Sequence, residues 1–319
     1  MVSKNLIIKL FTSFIITISF LLFALNKIMW DEFFLIISTF NYYFIAPAIF
    51  LVMIMHLLHS LRWNLFLNNN FSSFKLIYFG ITNVSFMINS LIPFRLGDIV
   101  KIYLAKRNLG ITVSKLTSTV IIGHYFDFLF LFVFLNIIFF LVNIDISDVF
   151  QWDVVYYVLF LINLIITLSL IYIKQVTKFF DFIFFRISYL NKYRYIIKNL
   201  NYDVNLLTRN MYKLTLTLFL TFAYWGSLIL IFKFVSIGIG LDLNVQMLIL
   251  AVVLSSFAIS IPVTPTSLGT FHLAIVYSLS FLIENQTLLF AYSLILHTII
   301  IVSIISCGSV SFLWMQLKK

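Results

Sequence analysis

Long apolar runs separated by short polar segments dominate the chain. An α-helix needs about 20 apolar residues to cross a bilayer, and several runs approach or exceed that length. They are Leu10–Asn26, Phe44–Phe66, Leu116–Val142, Val154–Ile173, Leu214–Ser236 and Leu288–Trp314. The first follows Lys4 and Lys9, as in a signal peptide, but no small-residue cleavage site comes after it, so we expect it to remain as a spanning helix. The pattern predicts an all-α, polytopic membrane helical bundle with six spanning helices.

Two further apolar regions, Ile77–Arg107 and Leu248–Ile283, contain residues that interrupt helices. The interrupting residues are Pro93, Gly97, Pro262, Pro265 and Gly269. Proline removes a backbone donor and glycine loosens the backbone, so a straight helix through either region is disfavoured. We predict two broken or re-entrant helical hairpins beside the six spanning helices. Eight spanning helices are the alternative, because two full spans in either region return the chain to the same side.

The two interruptions resemble each other in sequence. Residues 89–98 read Asn-Ser-Leu-Ile-Pro-Phe-Arg-Leu-Gly-Asp, and residues 259–270 read Ile-Ser-Ile-Pro-Val-Thr-Pro-Thr-Ser-Leu-Gly-Thr. Each follows two predicted spans and precedes one. We therefore predict one transmembrane domain over residues 1–319, built from half-repeats 1–142 and 143–319 in opposite orientations. Inverted repeats with matched broken helices are typical of transporters.

Basic residues are concentrated on one side of this predicted arrangement. All but two of the 21 Lys and Arg residues fall on that side, with Lys27 and Lys233 as the exceptions. Segment 174–213 is rich in Lys and Arg, whereas segment 143–153 holds Asp and no basic residue. The positive-inside rule therefore predicts a multi-pass protein of the cell membrane with both termini in the cytoplasm. Segment 174–213 is either an interfacial amphipathic helix on anionic lipid or a solvated loop.

The composition excludes several classes of protein. The chain is 62% hydrophobic and 10% charged, whereas soluble domains carry roughly 25% charged residues. A soluble globular protein, with water over its whole surface, is therefore excluded. The net charge of +10 comes from basic residues that lie between apolar runs, where we expect them to contact anionic lipid head groups rather than nucleic acid. The single cysteine, Cys307, allows no disulfide within the chain and no thiolate metal cluster. We expect no metal site and no cofactor.

Ionisable residues inside apolar helices are candidates for chemistry, because each is costly in lipid and usually faces an interior or a cavity. His56, His59 and Arg62 are spaced i, i+3, i+6, which places them on one helix face. Arg62 also lies at a membrane boundary, where snorkelling to the head groups is the alternative. His124 and Asp127 are spaced i, i+3, which permits a proton relay, an anion site or a structural hydrogen bond.

The predicted hairpins add further polar candidates. Arg95 and Asp98 flank the glycine of the first break, and the forked donors of Arg95 suit a phosphate. His272 follows the second break and His297 lies deep in the last span, and for both a buried structural hydrogen bond is favoured. The predicted substrate-binding set is Arg62, Arg95, Asp98, His124, Asp127, His272 and His297.

Enzyme motifs are scarce. The sequence contains no H-E-x-x-H, no G-x-S-x-G and no phosphate-binding glycine loop. Asp31 and Glu32, in the first outer loop, resemble the acidic site of a membrane glycosyltransferase. A membrane enzyme or accessory protein of cell-envelope lipid or glycan biosynthesis is therefore the alternative to a transporter, although we expect the protein not to be an enzyme.

Four motifs follow one another in a recognisable order. They are Arg62-Trp63, Leu-Ile-Pro-Phe-Arg-Leu-Gly-Asp at 91–98, Thr-Val-Ile-Ile-Gly-His-Tyr-Phe-Asp at 119–127, and Ile-Pro-Val-Thr-Pro-Thr-Ser-Leu-Gly at 261–269. Together they resemble the lysylphosphatidylglycerol synthase transmembrane family over nearly the whole chain. The resemblance carries over Arg62, Pro93, Arg95, Gly97, Asp127, Pro262, Pro265 and Gly269.

The chain departs from the family pattern at several charged positions. Asp98 stands where the family usually has Glu, His272 where a Glu is expected, and His297 where an Arg is expected. Gly123-His124 replaces a frequent Glu-Arg, and Thr266-Ser267 replaces a frequent Gly-Gly. Several fixed charges of the family are therefore histidines here.

The resemblance implies a flippase-like membrane protein that translocates a polar or anionic phospholipid, or a lipid-linked saccharide, between leaflets. Its implied partners are membrane lipids, with a homo-oligomer or a biosynthetic enzyme as further candidates. Full-length synthases of this family carry a soluble aminoacyl-transferase domain after the membrane part. The sequence does not extend into such a domain, so we expect no transfer of lysine to lipid by that route.

Overall fold

The computed structural model describes residues 28–67, 71–141, 172–186, 194–260 and 264–317, with single positions among 15–25 and 157–168. Within these ranges the regular structure is helical and no strand is present. The α-helices are α1 (Trp30–Ser38), α2 (Ile45–Phe66), α3 (Leu76–Leu91), α4 (Leu96–Leu109), α5 (Val113–Leu141), α6 (Ile173–Arg186), α7 (Arg194–Arg209), α8 (Met211–Gly238), α9 (Val245–Ser260), α10 (Thr270–Ser280) and α11 (Gln286–Leu317). The all-α prediction is confirmed.

Four of the described helices are long and apolar enough to cross a bilayer. They cover Tyr42–Phe66, Val113–Ile137, Met211–Gly238 and Gln286–Leu317. Each coincides with a span predicted from the sequence, so the protein is a multi-pass membrane protein. The other two predicted spans, Leu10–Asn26 and Val154–Ile173, lie largely outside the described residues.

Each interrupted region forms a pair of short helices, as predicted. Helices α3 and α4 contain 16 and 14 residues, and α9 and α10 contain 16 and 11. At about 1.5 Å per residue, even 16 residues extend only about 24 Å, less than the roughly 30 Å of a hydrocarbon core. The helix lengths therefore favour broken hairpins over eight full spans.

The order of elements repeats along the chain. A long helix, a short pair and a second long helix appear first as α2, α3–α4 and α5, and again as α8, α9–α10 and α11. This repetition is what the two predicted half-repeats require. The opposite orientation of residues 1–142 and 143–319 stays a prediction.

The helices form two compact units, each assembled from separate stretches of chain. The first unit comprises Met1–His56, Thr82–Val100 and Trp225–Lys319, and the second comprises Leu57–Ile81 and Lys101–Tyr224. Both breaks, described at residues 92–95 and 264–269, belong to the first unit.

Close approaches between helices hold the first unit together. Phe33 packs on Phe290, with ring centroids 6.0 Å apart. Gly308 lies against α3, where a Cβ atom would come within 2.4 Å of the Met87 side chain and 3.0 Å of the Asn83 carbonyl oxygen. Small residues allow helices to approach closely in membranes, where packing replaces the hydrophobic driving force.

Segment 174–213 contains two described helices rather than a plain loop. Helix α7 packs against α5, and its Val204 and Leu207 side chains are buried. Asp203, also buried, accepts hydrogen bonds from the ammonium of Lys115 and, at 2.5 Å, from the hydroxyl of Ser118. The described part of the segment is therefore helical, and its contact with lipid is a separate question taken up below.

Removing the charge of Asp203 tests the attachment of α7. We expect Asp203→Asn to lower the free energy of unfolding by about 2 kcal/mol, because the amide still accepts hydrogen bonds while Lys115 loses its buried counter-charge. Thermal unfolding in detergent measures the effect. Asp242→Asn is the control, since its carboxylate is fully exposed 3.4 Å from Lys233 and an exposed pair contributes little. Equal losses in both variants would contradict this assignment.

Candidate functional site

The two breaks share a pair of left-handed residues directly after a proline. Residues 93–97 and 265–269 both consist of proline, two residues with positive φ, leucine and glycine. The four residues are Phe94 at 69°, Arg95 at 53°, Thr266 at 53° and Ser267 at 56°. A left-handed conformation costs a residue with a side chain roughly 1–2 kcal/mol. Such a pair occurs at matching places in both hairpins, so the same turn motif recurs in the two halves of the chain.

The first break is held by side chains of the preceding helix. The amide N–H of Gly97 donates to Oδ1 of Asn89 at 2.7 Å, and Nδ2 of Asn89 donates to Asp98 at 3.2 Å. The hydroxyl of Ser85 donates to the Gly97 carbonyl oxygen at 2.9 Å. The bond from Gly97 satisfies a backbone N–H that has no partner at the start of a helix, and the other two join the turn to α3. Asp98 lies in the first turn of α4, where the helix dipole favours a negative charge.

The sequence-predicted residues of the first break are therefore placed as follows. Pro93 and Gly97 are buried, while Arg95 and Asp98 are partly exposed. Asn89 and Ser85, which organise the turn, were not predicted as site residues. An amide or hydroxyl one or two turns before a proline in an apolar helix is the signal that could have identified them.

The second break is held from the last helix. Nε2 of His297 lies 2.8 Å from the Thr266 carbonyl oxygen and donates to it, because a carbonyl can only accept. Thr270 adds a bond from its hydroxyl to the Ser267 carbonyl oxygen at 3.0 Å. Gly269, with φ of 83°, precedes the first residue of α10. Of the predicted breaking residues, Pro265 begins the turn, and Pro262 lies outside the described residues.

Two buried histidines meet beside the second break. The rings of His272 and His297 are 5.0 Å apart and nearly perpendicular. Nδ1 of His272 lies 3.0 Å from the hydroxyl of Ser293, which itself donates to the Phe290 carbonyl oxygen. Nδ1 of His272 is therefore the donor, and its buried Nε2 is an acceptor without a hydrogen-bond partner. The predicted structural hydrogen bonds of both histidines are present, and the contact between them was not predicted.

The bond from His297 to the break can be tested by replacing the imidazole with a ring of similar shape. We expect His297→Phe to lower the free energy of unfolding by about 1–2 kcal/mol, because the Thr266 carbonyl oxygen loses its donor. Stacking on Phe271, at 4.9 Å between centroids, is retained. Thr298→Val is the control, since that exposed hydroxyl bonds only within its own helix. Thermal unfolding in detergent that gave indistinguishable midpoints for the two variants would exclude a clamping role.

Arg62 is buried in the second unit rather than extended to the head groups. Its side chain is 1% exposed and binds Asp127 in a bidentate manner, with Nη1–Oδ1 at 2.7 Å and Nη2–Oδ2 at 3.0 Å. Nη1 also donates to the hydroxyl of Thr221 at 3.0 Å. The Tyr224 and Phe66 rings lie 5.7 and 6.0 Å from the guanidinium carbon. The snorkelling alternative for Arg62 is therefore wrong.

The partner of Asp127 differs from the one that spacing indicated. Sequence reasoning placed Asp127 beside His124 on the same helix, whereas both of its carboxylate oxygens accept bonds from Arg62, 65 residues away in sequence. His124 is partly buried, three residues before Asp127. The missed signal is electrostatic, because a buried arginine in an apolar helix requires a carboxylate from another helix.

A polar connection in the first unit links three helices. Nδ1 of His56 and Oδ1 of Asn83 are 2.8 Å apart, and Nδ2 of Asn83 donates to the hydroxyl of Ser311 at 2.9 Å. His56 is fully buried, and its Nε2 has no hydrogen-bond partner. The sequence singled out His56, but Asn83 and Ser311 were missed. Amide and hydroxyl side chains that bond across apolar helices are the usual means of joining them.

The structure thus divides the predicted residues among clusters. In the first unit, Asp98 lies at the first break and His272 meets His297 at the second. In the second unit, Arg62 meets Asp127. Within the part of the chain that the structure describes, no three His, Cys, Asp or Glu side chains are grouped to hold a metal ion.

A comparison with family models decides the relationship. The model described as Lysylphosphatidylglycerol synthase TM region matches residues 8–307. The chain belongs to this family. The match covers both breaks and both partners of the Arg62–Asp127 pair, so the lysylphosphatidylglycerol synthase resemblance inferred from the motifs is confirmed. No curated protein and no solved structure matches the chain.

Proposed function

We propose that the protein translocates a polar or anionic lipid, either a phospholipid or a lipid-linked saccharide, between the leaflets of the cell membrane. The observation that carries the proposal is the pair of matched breaks, each with two left-handed residues after a proline and both in one compact unit. Broken helices at matching positions of two repeats form substrate sites in many transporters. Membership of the lysylphosphatidylglycerol synthase transmembrane family supports a membrane role.

The breaks supply groups suited to an anionic head group. Helices α4 and α10 begin directly after the two breaks, and a helix N-terminus carries a positive partial charge. Arg95, partly exposed in the first break, adds a forked donor that matches phosphate oxygens. The sequence carries no phosphate-binding glycine loop, so we expect movement that is passive or coupled to an ion gradient. The basic side of the protein, with both termini, would face the cytoplasm.

Leaflet exchange in liposomes tests the proposal directly. The full chain is reconstituted with fluorescent phosphatidylglycerol, phosphatidylcholine or a polyprenyl-linked saccharide, and a membrane-impermeant reductant bleaches the outer leaflet. We expect faster bleaching than in empty liposomes for phosphatidylglycerol or the saccharide lipid. Rates equal to those of empty liposomes for every lipid would refute translocation.

Arg95 provides a matched pair of variants for the same assay. We expect Arg95→Ala to slow exchange about tenfold, because a charge-assisted hydrogen bond to a head group contributes roughly 1.5–3 kcal/mol. Arg107→Ala, at the exposed end of α4, is the control and should exchange lipid at the parental rate. If the two variants slowed exchange equally, net charge rather than the break would be responsible.

The alternative, a membrane enzyme or accessory protein of envelope biosynthesis, depends on Asp31 and Glu32. Glu32 accepts a hydrogen bond from Nδ2 of Asn285 at 2.7 Å, which ties α1 to the start of α11. This contact gives Glu32 a structural role and favours the translocase. Loss of function in Asp31→Asn with Glu32→Gln, but not in Arg95→Ala, would reverse that preference.

A further inference from the structure

Helix α6 presents large aromatic side chains on its surface. Phe179, Phe180, Phe182 and Phe185 are 61%, 44%, 55% and 61% exposed. Fully burying a phenylalanine side chain stabilises it by roughly 1.5–3 kcal/mol relative to water, so four exposed rings on 14 residues are unfavourable in an aqueous loop. These four rings would be more stable in an apolar environment than in water.

Basic groups surround these rings. The guanidinium carbon of Arg186 lies 4.9 Å from the centroid of Phe182, and that of Arg194 lies 5.0 Å from Phe185. Lys178 and Lys198 are exposed on the same two helices. Long basic side chains interleaved with aromatic rings are typical of helices at the boundary between head groups and acyl chains.

The two carboxylates of α6 and α7 are each paired with one basic side chain, Asp181 with Arg194 and Asp203 with Lys115, and leave the other basic residues of the two helices uncompensated. Asp181 receives two bonds from Arg194, at 2.8 and 2.7 Å, and these hydrogen bonds lower the pKa of Asp181 below its usual value. Asp203 is buried against Lys115. Both carboxylates are therefore ion-paired within the protein. The exposed residues Lys178, Arg186 and Lys198 then make the outer surface of the two helices positively charged.

The helix pair is attached to the membrane-spanning part of the second unit. Asn199 donates to the hydroxyl of Ser114 at 2.6 Å, near the start of α5, and Asp203 holds Lys115 in the same turn. The apolar helix α8 begins at Met211, two residues after α7 ends at Arg209. Both connections place α7 at the ends of spanning helices, which is head-group depth, and the bonds from Arg194 to Asp181 hold α6 beside it.

We propose that α6 lies in an anionic lipid leaflet, with its exposed phenylalanine rings among the acyl chains and its lysine and arginine side chains among the phosphate groups. The partner is the surface of a bilayer containing acidic phospholipid. Apolar burial supplies the insertion, and each basic residue near an anionic surface adds about 1 kcal/mol. This interaction is independent of translocation, because it concerns the anchoring surface rather than the breaks.

A fluorophore on α6 reports the insertion. Cys307 is the one cysteine of the chain, so Cys307→Ser with Phe182→Cys gives a single labelling site for a polarity-sensitive dye. The full chain is reconstituted in phosphatidylcholine alone or with phosphatidylglycerol, each containing lipids with a spin label on the acyl chain. We expect blue-shifted emission and acyl-chain quenching, both stronger with phosphatidylglycerol. Water-like emission without quenching in both membranes would overturn the proposal.

Charge reversal separates lipid attraction from burial in protein. Lys178→Glu with Arg186→Glu should reduce the inserted-to-solvated ratio about tenfold or more in phosphatidylglycerol membranes. Lys106→Glu with Arg107→Glu makes the same change in net charge on the exposed end of α4 and should leave the label unaffected. Lys178→Arg with Arg186→Lys keeps both charges and should behave as the parent. Equal effects of the two reversals, or quenching insensitive to the α6 reversal, would show that α6 does not read anionic lipid.

Discussion

Arg62→Ala is expected to lower the free energy of unfolding by about 3–5 kcal/mol, the cost of leaving one member of a buried ion pair without its partner. Arg62 is 1% exposed, and its guanidinium gives Asp127 two hydrogen bonds and Thr221 a third. The remaining carboxylate of Asp127, whose side chain is 21% exposed, would then lie without its counter-charge inside an apolar helix, where an ionised group is costly. Thermal or denaturant unfolding in detergent micelles measures the loss.

A double variant distinguishes structural support from a role in transport. Arg62→Met with Asp127→Leu removes both charges and keeps comparable volume, and such replacements are often neutral or stabilising. We expect its stability to return to within about 1 kcal/mol of the parent. If lipid exchange also recovers, the pair is structural, and if exchange stays low, the pair contributes to function. Arg107→Ala, which lies outside this cluster on an exposed position, is the control. If it lowered the free energy of unfolding as much as Arg62→Ala, the loss would not be due to the Arg62–Asp127 pair.

Gly97→Ala is expected to lower the free energy of unfolding by at least about 3 kcal/mol. The added methyl group would overlap a backbone atom of α3, and a movement of side chains cannot relieve that overlap. A Cβ atom at Gly97 would lie 2.0 Å from the Ser85 carbonyl oxygen and 2.6 Å from Oδ1 of Asn89. The same substitution displaces the acceptor of the Gly97 amide. Unfolding and lipid exchange should both be affected.

The control for Gly97→Ala is the same substitution in an open position. Gly226 lies within α8, and nothing lies within 4 Å of a Cβ atom built there. Gly226→Ala should therefore stabilise the protein by roughly 0.5–1 kcal/mol, the difference in helix propensity. Destabilisation by both substitutions would mean that the helices, rather than the break, are sensitive to added volume.

The sequence predicts the elements of this fold better than it predicts their contacts. Apolar run length determines which segments can span a bilayer, and it located the four described spans. Proline and glycine located both breaks because they act on the backbone where they stand. The positive φ of Phe94 and Arg95 was not predicted, because neither residue type has an intrinsic preference for it. The bonds of Asn89 and Ser85 with Gly97, which accompany it, join the turn to the preceding helix and are not visible in local sequence.

The pairing of buried polar residues could not be predicted from spacing. Helical periodicity relates positions three or four residues apart, which is why His124 was placed with Asp127. The bonds that hold the helices together join distant segments, as Arg62 joins Asp127 and Asn83 joins Ser311. Which helices are neighbours depends on tertiary packing, and a single sequence carries no direct record of it.

The division of the chain into interleaved units has a consequence for biosynthesis. The first unit is completed only when residues from Trp225 onward join the early segments Met1–His56 and Thr82–Val100. The bond from Asn83 to Ser311 can form only after Ser311 has been translated, 228 residues later. At the usual rate of chain elongation this delay is roughly 10–50 s. His56 and Asn83 are both translated early, so we expect their mutual bond to form before the bond from Asn83 to Ser311 and to satisfy part of the Asn83 amide during that interval.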